Sequence, residues 1–160
     1  FDCDKVPALI NFMEGEMLIE ACTGDKYRWV HDKVQEAALS LVEMDKDTLQ
    51  FEMGKILYLN LSGKELEDDL FDVADLISSS GNKGRVTADF ASLCLKAAQK
   101  AMRLSAFVSS ARYVQNGIDM LPTSDMWTRH PSLTLDLHKL GAQVELVLGN
   151  VESSRNYCSA

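Results

Sequence analysis

LKAAQKAMRLSAFVSSARYVQNGIDML, residues 95–121, reads as two amphipathic helices in succession, and its pattern decides the fold class. On the first, Phe90, Leu93, Cys94, Ala97, Ala98 and Ala101 recur at helical spacing, with Thr87 standing where an N-cap belongs. The alanines predict close packing against a neighbour. On the second, Phe107, Ala111, Val114, Ile118 and Leu121 form one stripe, and Pro122 stops it because proline cannot continue the hydrogen-bond ladder. Ser110, Val114, Gly117 and Pro122 also carry the small–large–small–proline spacing of the second helix of a tetratricopeptide repeat, whose period is about 34 residues.

The same periodicity extends in both directions. Towards the N-terminus, Val34, Ala37, Ala38, Leu41 and Val42 predict one helix, Leu49, Met53, Ile56 and Leu57 a second, and Leu66, Leu70, Val73, Ala74 and Ile77 a third. Towards the C-terminus, Pro131 suits a first helical turn, Leu133, Leu137, Leu140, Val144 and Val147 supply an apolar stripe, and Gly149 ends it. Ala142, Gly149 and Ser154 repeat the small residue, turn glycine and small residue that join two repeat helices. Residues 31–149 are thus expected to form six helices with no sheet, and residues 31–160 an antiparallel helical, TPR-like array. Trp127 falls in the connection before the last of the six, where it is expected to fill a gap between helices.

Residues 1–30 have a different grammar. A short helix ending near Gly15 precedes two strand-like runs, Met17 to Ala21 and Tyr27 to Val30, around the turn formers Thr23, Gly24 and Asp25. Helix, then hairpin, then helix is the order at the end of a winged-helix domain, and a free-standing hairpin satisfies the same signals. The fold expected is therefore all-α, a TPR-like superhelix preceded by a winged-helix-like remnant.

Composition narrows the function. The net charge is −8, with Glu65, Glu67, Asp68, Asp69, Asp72 and Asp75 concentrated on one helix, which disfavours a phosphate backbone as partner and reads as a solvated face. Four scattered cysteines, Cys3, Cys22, Cys94 and Cys158, form neither a disulfide framework nor a metal-binding pair, so a reducing, cytoplasmic setting is expected. No apolar run approaches the roughly 20 residues of a membrane span. A chain that opens on Phe1 reads as a piece of something longer.

Catalytic signals are weak. The serine- and glycine-rich segment 78–84 is a loop, not a phosphate cradle, because Arg85 follows Gly84 where a P-loop needs lysine and then serine or threonine. His130 and His138, with Pro131 between them, lack the carboxylate or cysteine that would complete a metal site and are expected at the surface. Cys94 lies on an apolar stripe as a small core residue, with no histidine to activate it.

One longer motif carries a family likeness. KYRWVHDKVQEAALSLV, residues 26–42, resembles the aromatic-x-His-Asp-Arg-Val-Gln-Gln-Ala-Ala segment of the STAND-class AAA-type signalling ATPases found fused to serine/threonine kinase and histidine kinase modules. GKILY at 54–58, LFDVADLI at 70–77 and the stretch at 95–121 continue the likeness over nearly the whole chain. Lys33 stands for the usual arginine, Trp29 for phenylalanine, and Ser78 for asparagine. The resemblance implies a helical regulatory segment after the ATPase core. It also implies a role for Val30, His31 and Asp32, which resemble the Met-His-Asp motif whose histidine meets the phosphates of bound ADP. A capping role for His31 and Asp32 is the competing reading.

The resulting expectation is a non-catalytic regulatory and protein-interaction segment that couples nucleotide state to partner domains. It would hold no cofactor or metal itself, with ATP or ADP bound by the full-length protein. Its partners would be proteins, namely its own ATPase core and signalling partners, with no nucleic acid and no membrane. Two alternatives stand beside it: a free-standing TPR-like adaptor, and a piece of a kinase or ATPase whose catalytic part lies elsewhere.

Overall fold

The structure is a computed structural model that describes residues 5–23, 26–79 and 87–159. The expected turn residues Gly24 and Asp25, residues 80–84 of the expected loop, and Cys3 lie outside the described residues. Contacts divide the chain into two compact units, Phe1–Asp45 and Lys46–Ala160.

The first unit follows the expected order. Helix α1 (Val6–Gly15) opens with Pro7 in its first turn, where the missing amide hydrogen costs nothing. Strands β1 (Ile19–Ala21) and β2 (Tyr27–Trp29) pair antiparallel with Ile19 opposite Trp29, and Ile19 is the buried residue of the pair. An Arg28–Glu20 ion pair bridges the exposed face, where opposite charges on neighbouring strands gain little. Helix α2 (Asp32–Ser40) belongs to this unit and is shorter than its expected stripe. Leu41 and Val42 fall beyond it and are exposed, and none of its residues is buried. Ser40 Oγ donates to the Ala37 carbonyl at 2.7 Å, a local bond that competes with continuing the ladder.

The second unit is helical throughout its described residues. It comprises α3 (Lys46–Asn60), α4 (Gly63–Asp68), α5 (Leu70–Ser78), α6 (Ala88–Arg103), α7 (Phe107–Asp119), α8 (Met126–Arg129), α9 (Pro131–Val147) and α10 (Val151–Ser159). The pairs α3 and α5, α6 and α7, and α9 and α10 pack as antiparallel neighbours, and α9 also lies against α7. One core joins Phe51, Val73, Ile77, Phe90, Leu93, Val114, Leu121, Leu137 and Val144. Phe90 anchors it from both sides, edge-on to Phe51 at 5.7 Å and to Tyr58 at 5.5 Å.

Six helices were expected between residues 31 and 149, and the described residues there form eight. The expected third helix is broken into α4 and α5 at Asp69 (φ −96°, ψ 16°). Asp68 and Asp69 would oppose the dipole at the end of α4, whereas Asp69 and Asp72 favour the start of α5. The connection holding Trp127 also winds into α8, which is tied to α9 by Thr134 Oγ1 donating to the Met126 carbonyl at 3.0 Å. On α3 the buried face is not the expected aliphatic one: Phe51 and Gly54 are buried, while Met53 and Ile56 are about half exposed. A Cβ on Gly54 would stand 2.9 Å from Ile77 Cγ1, so the glycine sets how closely α5 approaches.

The two later hairpins repeat one another. Ser110 Oγ donates to the Ala98 carbonyl at 2.8 Å, and Ser154 Oγ donates to the Ala142 carbonyl at 2.9 Å, each across twelve residues. Each turn has a residue of positive φ, Ser105 at 59° and Gly149 at 84°. The separation that carries Ala98 to Ala142 also carries Ser105 to Gly149, Ser110 to Ser154 and Tyr113 to Tyr157. That period exceeds the tetratricopeptide one of about 34 residues, since α8 and its flanking turns intervene. No helix among the described residues is long and apolar enough to cross a membrane.

Candidate functional site

The strand-to-helix junction of the first unit holds the two residues singled out from sequence. Leu18 accepts from the Val30 amide at 3.1 Å, so the hairpin ends at Val30 and delivers the chain to α2. His31 then takes an extended conformation (φ −140°, ψ 140°) as the N-cap residue, and its carbonyl accepts from Val34 at 3.0 Å and Gln35 at 3.3 Å. Its imidazole makes no capping hydrogen bond and is exposed. Asp32, also exposed, occupies the first turn, where its charge complements the helix dipole. Capping here is thus performed by the backbone of His31 and the charge of Asp32, leaving the ring turned outward.

Other expectations resolve one by one. Thr87 does cap α6, accepting from the Phe90 amide at 3.3 Å. Cys94 is fully buried, and burial pushes its thiol up to about 11, which makes it a packing residue and a poor nucleophile. The acidic run on α4 and α5 faces water as expected, apart from half-buried Asp69. His138, expected at the surface, is buried. Its Nδ1 donates to the Thr134 carbonyl at 2.8 Å, and its ring lies between Trp127 (5.0 Å) and Tyr157 (6.0 Å). The helical register of Leu137 and Gly141 carries that position inward, and a histidine can follow because a backbone carbonyl satisfies its ring.

Clefts among the described residues indent the second unit. One, about 600 Å³, lies among α3, α5 and α7 and is lined by Gln50, Asp72, Asp75, Leu76, Arg112 and Asn116, with Arg112 Nη2 donating to Asp75 at 2.9 Å. A second of about 410 Å³ lies among α7, α9 and α10. A third, about 230 Å³, lies among α4, α5 and α6, between Leu66 and Leu70 on one side and Lys96 and Arg103 on the other. Among the described residues no group of three or more histidine, cysteine, aspartate or glutamate side chains is arranged to hold a metal ion. Sequence reasoning missed the second cleft, because its residues come from three helices and form no local motif.

Comparison of the chain with family models, with curated proteins and with solved structures finds no match.

Proposed function

We propose that the chain is a non-catalytic regulatory and protein-binding segment of a STAND-class signalling ATPase, coupling the nucleotide state of that enzyme to partner domains. The observation that carries the reading is the junction at Val30–His31–Asp32. A histidine at a helix N-terminus, with its ring exposed and not used in capping, is available to donate to a phosphate oxygen. Signalling partners would meet the helices of the second unit in the cytoplasm.

The test is retention in trans. Immobilised residues 1–160 should hold the ATPase core of the parent polypeptide more tightly with ADP present than with ATP. Equal retention with either nucleotide, or none, would remove the coupling role.

A second reading, a TPR-like adaptor acting without an ATPase, is favoured by the recurrence of the Ala98–Ser110 arrangement at Ala142–Ser154. Repeated hairpins build extended binding surfaces whatever is attached to them.

A further inference from the structure

The two repeated hairpins differ where each meets the helix before it. In the earlier one, Tyr113 stacks on Phe71 of α5 with ring centroids 5.8 Å apart, and Ala101 of α6 is fully buried. The separation that carries Tyr113 to Tyr157 carries Phe71 to Gln115 and Ala101 to Glu145. An amide and a carboxylate therefore occupy the places of a ring and a methyl group. The later junction contains the cleft of about 410 Å³, lined by Gln115, Ile118, His138, Glu145, Asn156 and Tyr157. That volume lies within the range of about 300 to 1,000 Å³ typical of ligand sites.

Its chemistry has one sign. Glu145 is a carboxylate, and no lysine or arginine is among the lining residues. Asp119, just outside, accepts from Gln115 Nε2 at 2.7 Å, which turns the Gln115 carbonyl oxygen towards Tyr157, whose hydroxyl donates to it at 3.3 Å. The Tyr157 phenol is pushed up by burial first and then by the negative charges of Glu145 and Asp119, consistent with a negative local field. One Glu145 oxygen accepts from Asn150 at 2.8 Å, and His138 Nδ1 is engaged with Thr134.

We propose that this cleft receives an arginine side chain of a protein partner, with the guanidinium paired to Glu145 and lying against the Tyr157 ring. Arginine fits better than lysine, since its planar fork can serve a carboxylate and a neighbouring amide oxygen together while stacking on an aromatic face. The proposal deepens the protein-binding reading by naming what one surface recognises, and it does not depend on nucleotide coupling.

The test is a titration of the ¹⁵N-labelled chain with N-acetyl-arginine amide, followed by amide chemical shifts, with N-acetyl-citrulline amide as the neutral counterpart of equal shape. Shifts should centre on Gln115, Glu145 and Tyr157, and citrulline should bind at least about tenfold more weakly, as loss of a charged hydrogen bond requires. Glu145→Gln should weaken arginine binding by about tenfold. Gln115→Phe, which supplies the ring that Phe71 supplies in the earlier hairpin, should fill the cleft, abolish binding and keep the fold. Arginine and citrulline binding alike, shifts centred elsewhere, no shifts at all, or arginine binding unchanged in both variants would overturn the proposal. Such a failure leaves nucleotide-dependent retention of the ATPase core untouched, so the two ideas fail separately.

Discussion

Gly117 is a glycine for a reason that lies on two other helices. A Cβ there would stand 2.8 Å from Leu137 Cδ2, 3.3 Å from the Ala91 carbonyl oxygen and 3.3 Å from Cys94 Cβ. Alanine would gain about 1 kcal/mol of helix propensity. Overpacking among fully buried neighbours costs about 1 to 3 kcal/mol, so the steric cost should outweigh the gain in propensity. Gly117→Ala is therefore expected to lower the urea midpoint, and a raised midpoint would show that α7 and α9 are not packed as described. Cys94 makes a second prediction at this scale. Its thiol is lifted by burial from an ordinary 9.0 to about 11, so the folded state holds a proton that the unfolded state releases above pH 9. Stability from this group is full below about pH 9 and is lost as pH rises towards 11, by about 2 to 3 kcal/mol at most. Unfolding free energies of wild type and Cys94→Ala across pH 8 to 11 should converge as pH rises, and parallel profiles would contradict this. At this scale much was legible in the sequence: the Thr87 cap, Pro131 in a first turn and the positive φ of Gly149 each follow from one residue's chemistry. The burial of His138 was not, because its hydrogen-bond partner is a backbone carbonyl that no side-chain pattern reveals.

Helices were legible wherever the apolar stripe coincides with the face that packs, as on α6 and α9. On α3 the stripe of Leu49, Met53, Ile56 and Leu57 pointed to the wrong face, since the packing is made by an aromatic residue and a glycine. The break between α4 and α5 was hidden because Leu66, Leu70, Val73 and Ile77 keep helical spacing straight across Asp69. The repeated serines give the prediction proper to this scale. Ser110 is fully buried, and Ser110→Ala should cost about 1 kcal/mol for its lost bond to the Ala98 carbonyl. Ser154 makes the same bond half-buried, so Ser154→Ala should cost less. Thermal unfolding of both variants checks the ranking, and the reverse order would mean that the two hairpins are not built alike.

For the chain as a whole, net charge was readable, and the arrangement of the clefts was not. A net charge of −8 predicts negligible retention of 1–160 on duplex DNA at physiological salt, and tight, salt-sensitive binding would overturn the protein-partner reading. Under the proposed function, His31 would report nucleotide state when the ATPase core is present. The most direct test of this role is an ADP titration of the intact parent polypeptide, wild type against His31→Ala, with the melting temperature of the 1–160 pair measured alongside. Because the ring makes no capping bond, the isolated segment should melt within a degree or so of wild type, as surface changes usually do. Loss of a hydrogen bond to a charged phosphate is worth roughly 1.5 to 3 kcal/mol, so ADP affinity in the intact protein should fall about 10- to 150-fold. An ADP affinity that stays within about twofold of wild type would rule out a nucleotide-sensing role for His31.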